Sequence, residues 1–546
     1  MEIVIKRLFH SQTKTLSFAA LILGASALIS RFLGLIRDRL LAGTFGAGEE
    51  LDVYFAAFRI PDFVYGILIM GGITAVFLPV FAESFKKNER EAWTLVNNVL
   101  NCFLILLIVI CGILAIFAPC LMKFIAPGFD AEQQAMAVAL TRIMFLSPIF
   151  LGMSAVFSGV LHYFNHFFAY SIIPIFYNLG IIAGILFFVP SFGLWGLAYG
   201  VILGAFLHWV IQIPIARASG FRYKPVFDFK YPGLLKIFKL MIPRTIGTAA
   251  YNLNLIAITA IASMLATGSI AIFNFANNIQ YMPIGIVGAS FAVASFPFLS
   301  RAWVNGQKQE FLDSFSLSLR QMAFSIIPLS LFLFLLRAQV IRLVLGTGEF
   351  TWQDTRLTAA SLGLFCFGVF AAACIPFLAR VFYSFQNTKT PVAISFVSMA
   401  LNIVLGFLFV FILSSQNFFQ QFLAHFLKIS DIKDISIVGL PLAMSVSAVF
   451  QCFLLLFFLR KTLGHIRLKE IARSTFKTLL ATIVMGLCVY ASLKLTAGIV
   501  VMETFGGIFV QTLIAGVVGV VVYFLIAHLL KSSEIKVIKS AIFHRC

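Results

Sequence analysis

The sequence predicts an all-α polytopic membrane protein of about fourteen transmembrane helices, in two pseudo-symmetric six-helix bundles with two further helices at the C-terminal end. Three observations predict it. Of 546 residues, 61% are hydrophobic and 11% charged, against roughly 25% charged in soluble domains. Apolar segments long enough to cross about 30 Å of hydrocarbon recur along the whole chain. The remaining charge gathers in the connections and changes character from each one to the next.

The expected spans are 15–40, 51–83, 93–118, 134–162, 167–189, 193–216, 234–264, 268–299, 314–345, 357–385, 391–414, 437–459, 474–495 and 506–530. The basic N-terminus and first apolar run share the outline of a secretory signal. That run is too long for one and no small-residue cleavage site follows, so it reads as a retained first span. Pro61, Gly66, Gly71, Gly72, Pro243, Pro283 and Pro376 lie within long spans and predict bent helices.

With a cytoplasmic N-terminus, the inner connections are KKNERE (86–91), RASGFRYKPVFDFK (217–230), SRAWVNGQKQE (300–310), RVFYSFQNTK (380–389), RKTLGHIRLKEIAR (460–473) and the tail from Lys531. All are rich in Lys or Arg. The outer ones, APGFDAEQQ (126–134), VPSFG (189–193), LATGS (265–269), TGEFTWQD (347–354) and VVMETFGG (500–507), are short and neutral or acidic. This alternation follows the positive-inside rule. The net charge of +19 is therefore mainly a topology signal, supplemented by attraction to anionic phospholipids. With no basic–aromatic domain outside the membrane, nucleic acid is not an expected partner. The segment 414–434 reads either as an amphipathic outer-surface helix or as a long loop.

The chain repeats itself. YGILIMGGITAVFLPVFAES (65–84) is matched by IGIVGASFAVASFPFLSRA (284–302), and FYNLGII (176–182) by ALNIVLG (400–406). Both offsets are roughly 220 residues, a pattern common in transporters whose substrate site lies between the halves. The repeat sets the expected divisions: an N-terminal bundle at 1–216, a basic cytoplasmic linker at 217–233, a second bundle at 234–459, and two helices with a basic tail at 460–546.

SRFLGLIRDR (30–39) drives three arginines and an aspartate into the end of the first span. At about 100° per residue, Gly24, Ser26, Ala27, Ser30, Arg31, Gly34, Arg37 and Asp38 share one half of that helix. The other half is apolar except for Arg39, which can snorkel. Small residues admit a neighbouring helix, and charges inside a membrane face a wet cavity or a partner. Two readings follow: a cationic cavity wall, or an Arg31–Asp38 or Arg37–Asp38 clamp that only fixes packing.

Other spans carry matching stripes. Asp52, Arg59 and Gly66 align at i, i+7 and i+14, and an internal Arg59–Asp62 pair is the alternative to a site. Arg244, Thr248, Tyr251 and Asn252 share a face of the seventh span. Asn274, Asn277, Asn278 and Tyr281 share one on the eighth, where interhelical hydrogen bonding is the alternative. His162, Arg142, Arg320 and Arg380 read as interfacial anchors. The eight cysteines form no CxxC pair or Cys/His cluster and read as buried, inert thiols. No metal, cofactor or catalytic residue is expected, and no phosphate-binding glycine loop or nucleophile motif occurs.

SRFLGLIRDRLLAGTFGAGEELDVYFAAFRIPDF (30–63), FLPVFAE (77–83), APGF (126–129) and FYSFQNTKTPV (382–392) resemble the MurJ family of bacterial lipid II flippases. That family belongs to the multidrug/oligosaccharidyl-lipid/polysaccharide exporter superfamily. The resemblance covers nearly the whole chain. It implies that Arg31 and Arg37 stand where the family's first-helix arginines hold the lipid diphosphate, with Asp38 beside Arg37. Asp52 matches a functional acidic position of the second helix. The sequence departs from the pattern where Tyr65 replaces an arginine, Met70 a glutamate, and Asn277-Asn278 an Asp-Arg pair. Arg59 and Arg244 are expected to compensate in part, with Asn274, Asn277 and Asn278 bonding sugar or phosphate. The last two helices would form a groove for the lipid tail.

The expected function is therefore a transporter, not an enzyme: a flippase carrying lipid II or a related lipid-linked oligosaccharide from the inner to the outer leaflet of a bacterial inner membrane. Alternating access by rocking of the bundles would move a head that cannot cross hydrocarbon. Arginine suits such a substrate because its planar fork binds phosphate oxygens bidentately. The alternatives are another transporter of the superfamily (a polysaccharide-repeat flippase or a drug/cation antiporter) and a non-transporting scaffold. Membrane potential, Na⁺ and H⁺ stand as alternative driving forces, and cell-wall synthesis proteins as candidate partners.

Overall fold

The computed structural model describes residues 16–501 and 504–535, apart from the side chains of 16–21, Ala75 and Pro243. Within a bilayer each backbone N–H and C=O must be satisfied inside its own segment, which leaves the helix as the local solution for an open chain. Among the described residues the regular elements are accordingly all helical.

The first half contains α1 (Leu16–Phe45), α2 (Glu49–Lys87), α3 (Glu89–Ile125), α4 (Ala131–Tyr163), α5 (Phe167–Phe192), α6 (Leu194–Ala218) and α7 (Pro232–Ser263). Then come α8 (Ser269–Val304), α9 (Lys308–Leu335), α10 (Trp352–Cys366 and Val369–Ser384, bent by 50°), α11 (Lys389–Ser414), α12 (Ser436–Leu463), α13 (Leu468–Ala497) and α14 (Phe505–Leu529). Among the described residues twelve helices are long and apolar enough to cross a membrane, or thirteen with bent α10 as one span. Helix α1 adds 30 residues at the first expected span, so every expected span coincides with a helix.

Local signals set the helix starts. Asp130 accepts from the Gln133 N–H at 2.9 Å while the Gln133 side chain accepts from the Asp130 N–H at 3.0 Å, a reciprocal cap that opens α4. Thr351 and Asp354 do the same for α10. Three spans contain π-helical turns: Tyr65–Ile73 in α2, Gly184–Phe188 in α5 and Ile284–Gly288 in α8. The first and third begin at the aligned first residues of the segments paired by the repeat. Segment 414–434 contains a helix, Phe418–Leu427, capped by Asn417 and ended by Lys428 at φ 61°. It buries Leu423, Ala424 and Leu427 and exposes Phe418, Phe422 and Phe426.

The chain divides into two compact units, Met1–Ile270 and Ala271–Cys546. Helix α7 therefore packs with the first unit, and the linker expected at 217–233 falls inside that unit. There, α5 and α6 cross at their backbones: a Cβ on Gly180 would collide with Gly204, and one on Gly184 with Gly200. The linker is strapped to α3 by three amides. Asn97 donates to the Arg222 carbonyl (2.9 Å) and accepts from the Lys224 N–H (2.8 Å). Asn98 does both with the backbone of Asp228, and Asn101 donates to the carbonyls of Lys224 and Val226.

In the second unit, one core joins Phe311 and Phe315 of α9, Phe377 and Phe382 of α10, and Leu455 and Leu459 of α12. A separate cluster packs α13 and α14 on α9, around Phe324, Met485, Val489, Ala515 and Tyr523. The Tyr523 hydroxyl donates to the Phe324 carbonyl at 2.6 Å. The outer faces of α13 and α14, including Ile483, Leu487, Val517 and Val521, are exposed.

Candidate functional site

The polar face of α1 meets α5, and the contacts run in register. The Ser26 hydroxyl donates to Ser171 at 2.9 Å, and Asn178 Nδ2 lies 3.3 Å from both the Ser30 hydroxyl and the Ser30 carbonyl. Leu28, Ile29 and Phe32 on the opposite face are exposed, as expected for a lipid face, although Gly24 and Ala27 are exposed too. One turn past Gly34 comes Arg37. Its Nε and Nη2 donate to Asp38 Oδ1 at 3.0 and 2.8 Å, and its Nη1 reaches Asn178 Oδ1 at 3.4 Å. Asp38 is buried.

Arg37 also lines a cavity of about 320 Å³ within the first unit. The clamp and the cavity wall, posed as alternatives by the sequence, are thus the same residue. The other polar lining comes from Asp62 and Tyr65 of α2, Ser147 of α4, Tyr177 and Asn178 of α5, and His208 of α6, with Phe58 and Leu151 among the apolar walls. His208 is held from behind, its Nδ1 2.7 Å from the Ser154 hydroxyl. Among the described residues Asp62 forms no ion pair within 4 Å, so the Arg59–Asp62 pair posed as the alternative to a site does not close. The lining therefore combines a guanidinium fork, a carboxylate, an imidazole and two phenols, a set suited to a phosphorylated or glycosylated head.

The stripe Asp52–Arg59–Gly66 faces the α7 side of the unit. Asp52 Oδ2 accepts from the Gly268 N–H at 2.7 Å, just past the end of α7. Arg59 Nε donates to Thr259 Oγ1 at 2.7 Å, and a Cβ on Gly66 would stand 2.7 Å from Asn252 Nδ2. The partners run 268, 259, 252 as the stripe runs 52, 59, 66, which is the signature of an antiparallel seam. Gly268 sits at φ +88°, and a Cβ there would collide with the Ala47 carbonyl oxygen, so only glycine fits the turn that Asp52 holds.

The remaining candidates are spread more widely. Arg31 is half-buried on α1, six residues or about 9 Å of helix rise before Arg37. Arg244 and Tyr251 are exposed on α7, whereas Thr248 and Asn252 of the same stripe lie against Gly71 and Gly66. Asn274 is buried and Asn277 and Asn278 half-buried in the second unit, where Gln280 donates to Asn277 at 3.0 Å. Sequence reasoning did not select Tyr177, Asn178 or His208. FYNLGII was noticed only as half of a repeat, and a lone histidine between Leu207 and Trp209 gave no pattern. Among the described residues no group of three His, Cys, Asp or Glu side chains is placed to hold a metal. Cys102, Cys111, Cys366, Cys374 and Cys452 are buried, as expected for inert thiols; Cys120 is exposed.

Residues 41–510 match the family model described as "Lipid II flippase MurJ". The chain belongs to the MurJ family. A curated relative, the probable lipid II flippase MurJ of Buchnera aphidicola subsp. Acyrthosiphon pisum, is 32% identical over 69% of this chain and 74% of its own. Two solved structures share the fold. One is described as lipid II flippase MurJ in an inward closed conformation (TM-score 0.73, 22% identity, 93% of this chain and 99% of that one). The other is an inward-facing multidrug resistance MATE family transporter of the MOP superfamily (TM-score 0.66, 13% identity, 80% and 95%). The protein is thus a multi-pass membrane protein of a transporter family. Of the positions that depart from the MurJ pattern, Tyr65 lines the cavity and Met70 is exposed.

Proposed function

We propose that this protein flips lipid II, a polyprenyl-diphosphate-linked peptidoglycan precursor, from the inner to the outer leaflet of a bacterial inner membrane by alternating access, with both termini cytoplasmic. The observation that carries the reading is Arg37: a guanidinium on a cavity wall, pre-oriented by Asp38 and Asn178, on a helix whose other face is lipid-exposed. An ordered fork loses less freedom on meeting a diphosphate than a mobile lysine would. The phenols of Tyr65 and Tyr177 and the amide of Asn178 supply neutral hydrogen bonds around it. Membrane potential, positive outside, favours outward movement of an anionic head by about 2.3 kcal/mol per charge per 100 mV.

Anionic phospholipid is a second partner, at the strap between α6 and α7. A connection between two spans lies at the membrane boundary. This one exposes Arg222, Lys224 and Lys230 together with Tyr223, Phe227 and Phe229, the pairing of basic and aromatic side chains that interfaces favour.

Native mass spectrometry of the purified protein, with lipid II competing against other polyprenyl-diphosphate glycans, tests the reading. Selective lipid II binding that is lost in Arg37→Ala is expected. Selection of another glycan would move the flippase to a different pathway, and a folded protein that binds none of them would overturn the proposal.

A further inference from the structure

The charges around the cavity cancel before any substrate arrives. Helix α1 contributes Arg37 with Asp38 bonded to it at 2.8 Å. Helix α2 contributes Asp62 and Tyr65 on the lining, with Arg59 one turn from Asp62 and turned to Thr259 of α7. The facing elements add Ser147 from α4, Tyr177 and Asn178 from α5, and His208 from α6, all neutral when the histidine is unprotonated. Two guanidiniums therefore meet two carboxylates. A dianionic diphosphate approaching Arg37 would find Asp62 as a like charge on the same wall.

Asp62 is the carboxylate that can yield. Asp38 is tied to Arg37, and Asp52 to the Gly268 N–H. Among the described residues the Asp62 side chain has neither an ion pair within 4 Å nor a hydrogen bond, so protonating it gives up only its longer-range attraction to Arg59 and Arg37. The protonated carboxyl also gains an O–H, turning a repelling acceptor into a donor for a phosphate oxygen. Building on the diphosphate reading above, we infer that binding of the anion at Arg37 takes up one proton from solution onto Asp62. Anion binding and proton binding are then one linked equilibrium, each strengthening the other by the same factor.

The test is isothermal titration calorimetry of the full chain in detergent with farnesyl-diphospho-N-acetylglucosamine. Both phosphates of this probe are esterified, so it brings no group that titrates near neutral pH. Titrations run in two buffers of different ionisation enthalpy, across a pH series. The expected result is an enthalpy that differs between buffers in the sense of proton uptake. The Kd should rise with pH, by up to about tenfold per unit where one proton is linked. Asp62→Asn should bind with a buffer-independent enthalpy and a flat pH profile. Wild-type binding with no buffer dependence and no pH dependence would overturn the inference while leaving the diphosphate reading standing. Linkage that survives Asp62→Asn and vanishes in His208→Gln would overturn it too, by placing the proton on the imidazole. A folded protein that binds no probe at any pH would overturn the diphosphate reading itself, and this inference with it.

Discussion

Asn98 is fully buried and holds the strap by both backbone polar groups of one residue: Nδ2 donates to the Asp228 carbonyl and Oδ1 accepts from the Asp228 N–H, each at 2.7 Å. Asn98→Ala removes both bonds. Asp228 is exposed, so its backbone groups can turn to water once released, and the full penalty for buried unsatisfied groups does not apply. The net value of about 1 kcal/mol per bond is the appropriate one, giving about 2 kcal/mol in favour of the open strap. That corresponds to a roughly 30-fold larger opening equilibrium. Hydrogen exchange with mass-spectrometric readout over 222–230 measures it directly, because the Asp228 amide is protected only while its acceptor is in place. The Lys224 amide, bonded to Asn97 at 2.8 Å, serves as the internal reference. If it accelerates with Asp228, the strap opens as one piece; if not, each asparagine acts alone. An Asp228 amide whose exchange is unchanged in Asn98→Ala would refute the claim that these amides hold the strap.

Two further outcomes follow from packing and charge. Gly180→Ala should destabilise the protein by about 1–3 kcal/mol, because the new methyl meets the Gly204 backbone and α5 must back away from α6; Gly24→Ala, with open space around it, is the neutral control, and equal resistance to denaturing detergent in both would contradict the close crossing. Asp431, outside the spans, has its carboxyl held below its usual range by the hydrogen bond to Arg356. A lowered value in the folded state means the contribution is intact above about pH 4 and fades as pH falls further. Melting temperatures across that range should slope less steeply in Asp431→Asn, and identical slopes would show that the pair does not couple to folding.

What was legible in the sequence was direction, and what was not was the partner. Hydrophobic periodicity separated the exposed Phe32 side of α1 from the buried Asp38 side, since a bilayer sorts one face from the other along the whole helix. It equally aligned Asp52, Arg59 and Gly66. Periodicity names a face, however, and cannot say whether that face meets a cavity or a helix. Here it meets α7, through Gly268, Thr259 and Asn252. The same limit hid the strap. Asn97, Asn98 and Asn101 sit on one side of α3, but their partners are backbone groups 123 to 130 residues away, and backbone groups leave no trace in a sequence pattern.

Asp62 shows the consequence for function. Three residues after Arg59 on an α-helix, the two side chains are neighbours on the surface, and mutual neutralisation is the local expectation. In the folded protein Arg59 Nε bonds instead to Thr259 of α7, and Asp62 lines a cavity with Arg37. A longer-range contact takes the Arg59 Nε that sequence proximity would have given to a close ion pair with Asp62. This leaves a carboxylate without an ion pair within 4 Å on the same cavity wall as the Arg37 guanidinium. In a chain where Tyr65 stands in place of a family cation, the balance of charge on that wall is then set by whether Asp62 carries a proton.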